Sequence, residues 1–173
     1  SDYASNQKVL EIAAKYRGFV YAGLGLHPGT LDRDQASLEK QLQFIDDNMD
    51  GAVAVGEIGL DYQKRALASN GKDYQHRAFR GVLAIAARRG KPAVIHSRYA
   101  WKDCFNLTRE SKVPQAIFHW YTGPTNVLKD ILDEGYYVSA TLAAEYHAEH
   151  RRAVKDAPLD RLLLETDCPV VYQ

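Results

Sequence analysis

Cysteine is scarce in this sequence: Cys104 and Cys168 are the only two, far apart and without a CxxC pair. That argues against a disulfide framework and a zinc ribbon, and a reducing cytoplasmic setting is expected. Long apolar runs are missing too. No stretch approaches the roughly 18 residues of a membrane-spanning helix, and no basic-then-apolar leader opens the chain. Charge of one sign is not in excess, since Lys+Arg and Asp+Glu both number 22. Proteins that coat duplex DNA through many phosphate contacts carry a basic balance, so that class is disfavoured. Any polyanion must be gripped locally, by a few cations or metal ions. Gly23 and Gly25 have no GxGxxG continuation and no phosphate loop occurs, which leaves nucleotide-cofactor folds without support. No repeat, low-complexity tract or linker interrupts the 173 residues, so residues 1–173 are read as a single domain. The first residue is Ser1 rather than methionine, and we expect an N-terminus other than the gene's own.

What is present is one pattern repeated: an amphipathic helix, a glycine, then a short apolar strand. From Ser5, read as the capping residue, Val9, Ile12, Ala13 and Tyr16 recur at helical spacing; Gly18 ends the helix and Phe19–Leu26 reads as a strand. Leu38, Leu42, Ile45 and Met49 precede Gly51 and the strand Ala52–Ile58. Tyr74, Ala78, Phe79, Val82, Leu83 and Ala86 precede Gly90 and the strand Ala93–His96. A helix over Trp101–Leu107 leads to Ala116–His119. Pro124 opens a helix with Val127, Leu128, Ile131 and Leu132, and Gly135 precedes Tyr136–Ala140. A polar helix around Glu145–Lys155 leads to Arg161–Thr166. Six apolar strands alternating with helices suit a parallel sheet buried on both faces, in an α/β fold. Asp61–Lys72 reads as the longest polar loop, directly after a strand end.

Polar residues at strand ends carry the functional signal. Glu57, His96, His119 and Asp167 each close an apolar run. In a closed βα barrel, side chains at strand carboxyl ends share one mouth. Two imidazoles and two carboxylates there make a divalent-metal constellation, because such ions take N and O donors. Singly, each has a plainer reading: a strand-end histidine is often just hydrogen-bonded, and Asp167 before Pro169 resembles a cap. Four together favour the metal. His76, His147 and His150 lie in helical or polar stretches and read as surface residues. His27 in LHP ends a strand facing the same mouth, where a substrate role and a structural one stay open.

The segments GLHP (25–28), GEIGLDY (56–62), IHSR (95–98), FHWYTG (118–123) and ETDCP (165–169) stand in the order found in the TatD family of metal-dependent deoxyribonucleases, which the whole chain resembles. That resemblance implies a TIM-like (β/α) barrel and hydrolysis of DNA phosphodiester bonds by metal-activated water, with two divalent ions (Mg, Mn or Zn) in the intact site. Glu57 would bridge the ions, His96 and His119 would bind one, and Asp167 would bind the other and take a proton from the attacking water. Arg98 would grip a phosphate or serve as an ordinary ion-pair partner, and Asp61 would hold a ligand histidine or cap a turn. Lys64, Arg65, Trp101, Trp120 and Tyr121 are candidates to line a nuclease mouth. DNA is the implied partner, with no membrane and no protein partner evident.

Departures accompany the resemblance. The family's first strand carries a His-x-His pair and a last strand follows its ETDxP segment; neither occurs in this sequence. The barrel is therefore expected without those two strands. This set of residues is expected to hold at most one ion firmly and to cleave DNA slowly or not at all unless the absent strand is supplied. Two bare sheet edges should make the isolated chain fold poorly. Trp120 and Tyr121 replace a commoner Cys-Phe, and Tyr99 replaces an aspartate. Hydrolysis of an amide, lactone or aminoacyl ester, or binding without catalysis, are the rival readings.

Overall fold

The computed structural model describes residues 2–31 and 37–172. Along them run α1 (Tyr3–Lys15), β1 (Ala22–Leu24), α2 (Leu38–Asp47), β2 (Ala52–Asp61), α3 (Lys64–Arg89) and β3 (Ala93–Arg98). α4 (Trp101–Ser111), β4 (Ala116–Phe118), α5 (Thr125–Asp133), β5 (Tyr137–Ala140), α6 (Ala148–Asp156) and β6 (Leu162–Leu164) follow. Among the described residues the six strands form one sheet in sequence order, every adjacent pair parallel. Parallel neighbours need long return crossovers, and the intervening helices supply them. A strand order that never doubles back is that of a βα barrel, not of a doubly wound sheet. The sheet is not closed: β1 and β6 are its edges.

Leu24, Val55, Ile58, Leu60, Ile95, Phe118 and Val138 of the strands pack with Ile45, Phe79, Val82, Leu83, Leu128 and Ile131 of the helices in one core. Full burial of such a side chain stabilises by about 1.5–3 kcal/mol. Burial on both faces, expected for every strand, fails at one edge: Leu163 and Leu164 of β6 are 39% and 87% exposed, while β1 keeps Ala22 and Leu24 buried and only Phe19, ahead of it, is 86% exposed.

Several boundaries differ from the pattern. β1 is shorter than Phe19–Leu26. At its start, the amides of Phe19 and Val20 still bond Tyr16 O in the turn that closes α1. At its end, Asn6 takes both backbone groups of Gly25, donating to its O (2.8 Å) and accepting from its N (3.1 Å), where a ladder would otherwise run. The cap of α1 is Asp2, with Ser5 completing its capping box, rather than Ser5 itself. β2 continues to Asp61 because Gly59–Asp61 pair with His96–Arg98. Asp61–Lys72 is not a loop: α3 begins at Lys64 and bends at Gly71, whose φ of 67° broke the helical period.

One glycine fixes the spacing that matters for the site. A Cβ on Gly59 would lie 2.0 Å from His96 O, and its φ is +148°. Only glycine lets β2 approach β3 this closely, one strand position before the buried Leu60 and Asp61.

Candidate metal centre

β2 carries Glu57 inside its run rather than at its end, and brings it to His96 of β3 and to His119 just past β4. Glu57 Oε1 lies 2.6 Å from His119 Nε2, 2.9 Å from His96 Nδ1 and 3.4 Å from His27 Nε2. The His27 and His96 rings meet edge-on at 4.6 Å. Burial by itself would raise the Glu57 pKa. The surrounding histidines outweigh it and hold this carboxyl far below the usual range.

Each histidine is gripped from its far side as well. His96 Nε2 faces Asp61 Oδ2 at 3.3 Å, and Asp61 is fully buried. Asp61 Oδ2 also accepts from Arg98 Nε (2.9 Å) and Nη2 (2.5 Å), while its Oδ1 accepts from the Gln63 amide (2.8 Å). Both readings of Asp61 are thus met at once: it orients a histidine and caps a turn. Burial would raise its pKa, but His96 and Arg98 press it well down. Arg98 stands as an ion-pair partner with its side chain 46% exposed.

His119 lies just beyond β4, with Nδ1 3.6 Å from Glu165 Oε1. Burial disfavours its charged form, yet Glu165 and Glu57 on either side push its pKa up to about 10. Glu165 Oε1 in turn accepts from Ser139 Oγ (2.5 Å) and the Trp120 amide (3.0 Å). Glu165 was missed as a site residue. Its signal was its place in the ETD segment, an acidic residue directly after the apolar run 162–164 and two residues before Asp167. His119, Glu165 and Asp167 present ligand atoms within 4.8 Å of one another, as do His27, Glu57 and His96. Burial raises the Asp167 pKa.

Tautomer logic separates the histidines. His27 Nδ1 accepts from the Gly29 amide at 3.0 Å. An amide can only donate, so the neutral ring carries its proton on Nε2, the nitrogen facing Glu57, and that nitrogen is a donor rather than a ligand. His96 and His119 differ: a carboxylate stands behind each, ready to accept the far N–H and leave the near nitrogen for an ion. Nitrogen and oxygen donors mixed in this way, with their outer nitrogens held, fit a divalent ion.

Two expectations fail near the mouth. Tyr121 is 1% exposed and its hydroxyl donates to Pro124 O, so it is core rather than a stacking platform. His150, read as a surface residue, is fully buried. Trp120 and Tyr99 both sit at positive φ, 40° and 58°, and Tyr99 is 60% exposed beside Trp101. Among the described residues no helix is long and apolar enough to cross a membrane.

Comparison with known proteins gives one consistent answer. The family model described as TatD related DNase matches residues 1–173. The chain is 30% identical to human deoxyribonuclease TATDN3 over 173 residues, 95% of this chain and 63% of that protein. It is 33% identical to the 3'-5' ssDNA/RNA exonuclease TatD of Edwardsiella piscicida, covering 98% of this chain and 65% of that one. Among solved structures, a TatD homologue from Escherichia coli k12 superposes with a TM-score of 0.84 at 29% identity, over 98% of this chain and 65% of the other. A TatD family hydrolase from Entamoeba histolytica gives 0.80 at 28% identity, over 98% and 58%. The chain spans a little under two thirds of the curated relatives' length, 63% of the human protein.

Proposed function

The chain belongs to the TatD related DNase family, and on that premise we propose that it carries the metal centre of a hydrolase that cleaves phosphodiester bonds in DNA. The observation that carries this reading is Glu57 set between two histidines, His96 and His119, each with a second carboxylate behind it. Glu57, His96 and His119 would hold one divalent ion of the Mg, Mn or Zn kind, with Asp167 and Glu165 beside them for a second. Bound ions of this type supply an activated water and neutralise charge developing on a phosphoryl group.

The chain's own groups do the rest. Asp167, whose carboxylate lies within 4.8 Å of the ligand atoms of His119 and Glu165, would accept a proton from the attacking water. His27, its Nε2–H fixed by the Gly29 amide, donates to a phosphate oxygen at the same mouth. Arg98 anchors Asp61 and, half-exposed, offers the remaining face of its fork to the substrate. Named relatives are a deoxyribonuclease and an exonuclease of single-stranded DNA and RNA, which supports nucleic acid as the substrate class. The free cysteines, Cys104 buried and Cys168 exposed, suit the cytoplasmic setting we assign.

The experiment is a labelled single-stranded oligonucleotide incubated with chelator-treated protein, with and without added Mn, Mg or Zn. Slow cleavage that requires an added ion and disappears in Glu57→Ala is the expected result. Cleavage that survives chelation, or hydrolysis only of amide, lactone or aminoacyl ester substrates, would overturn the reading.

A further inference from the structure

The ladder between β4 and β5 stops at Phe118 and Val138, just before the site begins. Beyond it, the His119 amide turns to the β3 side, donating to Ile95 O at 3.2 Å. On the β5 side the splayed strands are joined by side chains instead. Ser139 Oγ accepts from the Trp120 amide at 3.1 Å. The second bridge comes from α6: His150 Nδ1 lies 3.0 Å from Tyr121 O, and its Nε2 lies 3.1 Å from the Thr141 amide.

These partners determine the ring's chemistry. The Thr141 amide can only donate, so Nε2 is the acceptor, and the Tyr121 carbonyl can only accept, so Nδ1 carries the proton. One neutral tautomer satisfies both. His150 is fully buried, and an imidazole buried without such partners would be costly. Its ring also meets Trp120 edge-on at 6.4 Å.

We propose that His150 is a positioning residue: a strut from α6 that ties the His119–Tyr121 turn to the carboxyl end of β5 and so sets where His119 presents Nε2 to Glu57. It touches neither substrate nor ion and acts through the backbone of Tyr121. Its consequence for metal binding rests on the function proposed above; its hydrogen bonds do not.

Two variants separate the bridge's halves. Asparagine places an amide where Nδ1 stands and keeps the Tyr121 bond; glutamine reaches the Nε2 position and keeps the Thr141 bond. In metal-free protein, His150→Gln should speed amide hydrogen exchange across residues 119–123, while His150→Asn should leave those amides protected and expose that of Thr141. Divalent affinity should fall about tenfold in His150→Gln and stay within about twofold in His150→Asn, as for partners that orient ligands. Exchange across 119–123 that is unchanged in both variants, or equally faster in both, would overturn the proposal and leave a merely structural histidine. Should neither variant fold, the long-range proton–nitrogen spectrum of the unaltered protein decides: Nδ1–H with a bare Nε2 is expected, and an Nε2–H or charged ring contradicts the strut. Absence of any divalent binding by the unaltered protein would sink the functional reading, while the exchange data would still judge His150.

Discussion

Asp61 faces His96 Nε2 at 3.3 Å from a fully buried position, so a carboxylate on β2 decides which ring nitrogen its neighbour on β3 turns toward Glu57. Asp61→Asn keeps the shape and removes the charge that both His96 and Arg98 use. Divalent affinity should drop by about 10–100-fold, the usual cost of losing a group that orients a ligand. Isothermal titration with Zn or Mn measures it, and unchanged affinity would mean that Asp61 serves only Arg98 and the turn.

Gly59 should tolerate no side chain. The added methyl of Gly59→Ala would sit 2.0 Å from His96 O, against backbone rather than a movable side chain. Overpacking of well-packed interiors costs about 1–3 kcal/mol, and here the upper end or more is expected because β2 and β3 must separate. Denaturant unfolding of the variant checks this; a loss below about 1 kcal/mol would show that the two strands shift apart easily.

Acid should weaken the fold partly through His150. Burial lowers its pKa below the ordinary 6.5, so the unfolded chain binds that proton more readily. The resulting stability is complete above about pH 6.5 and is lost as pH falls from there through the lower folded value. Melting curves of the native protein and of His150→Asn, compared across mildly acidic pH, should converge as pH falls. A constant gap between them would contradict a buried neutral imidazole.

Much of this was legible in the sequence, for physical reasons. A parallel strand buried on both faces stays apolar until its carboxyl end, so His96 and His119 announce themselves near the close of such runs, whereas Glu57 stands inside β2 as a charged residue between buried Val55 and Ile58. The edges were less legible, since Phe19 and Leu164 are as apolar as core residues and only tertiary neighbours decide their exposure. The first turns of α3 escaped because Gly71 interrupts the period and Ala66 is the only buried residue before it. His150 was misread because α6 is polar overall. A short signal was nonetheless present: His150 and Ala153, three residues apart on one face of α6, are both buried.

The most direct measurement is the anomalous difference density of a crystal of the protein soaked in zinc, collected at the zinc edge. A peak within about 2.0–2.2 Å of Glu57 Oε1, His96 Nδ1 and His119 Nε2 is the expected result. A peak ligated by His27 in place of His119, or no peak at this mouth, would contradict the proposed metal centre and the chemistry derived from it.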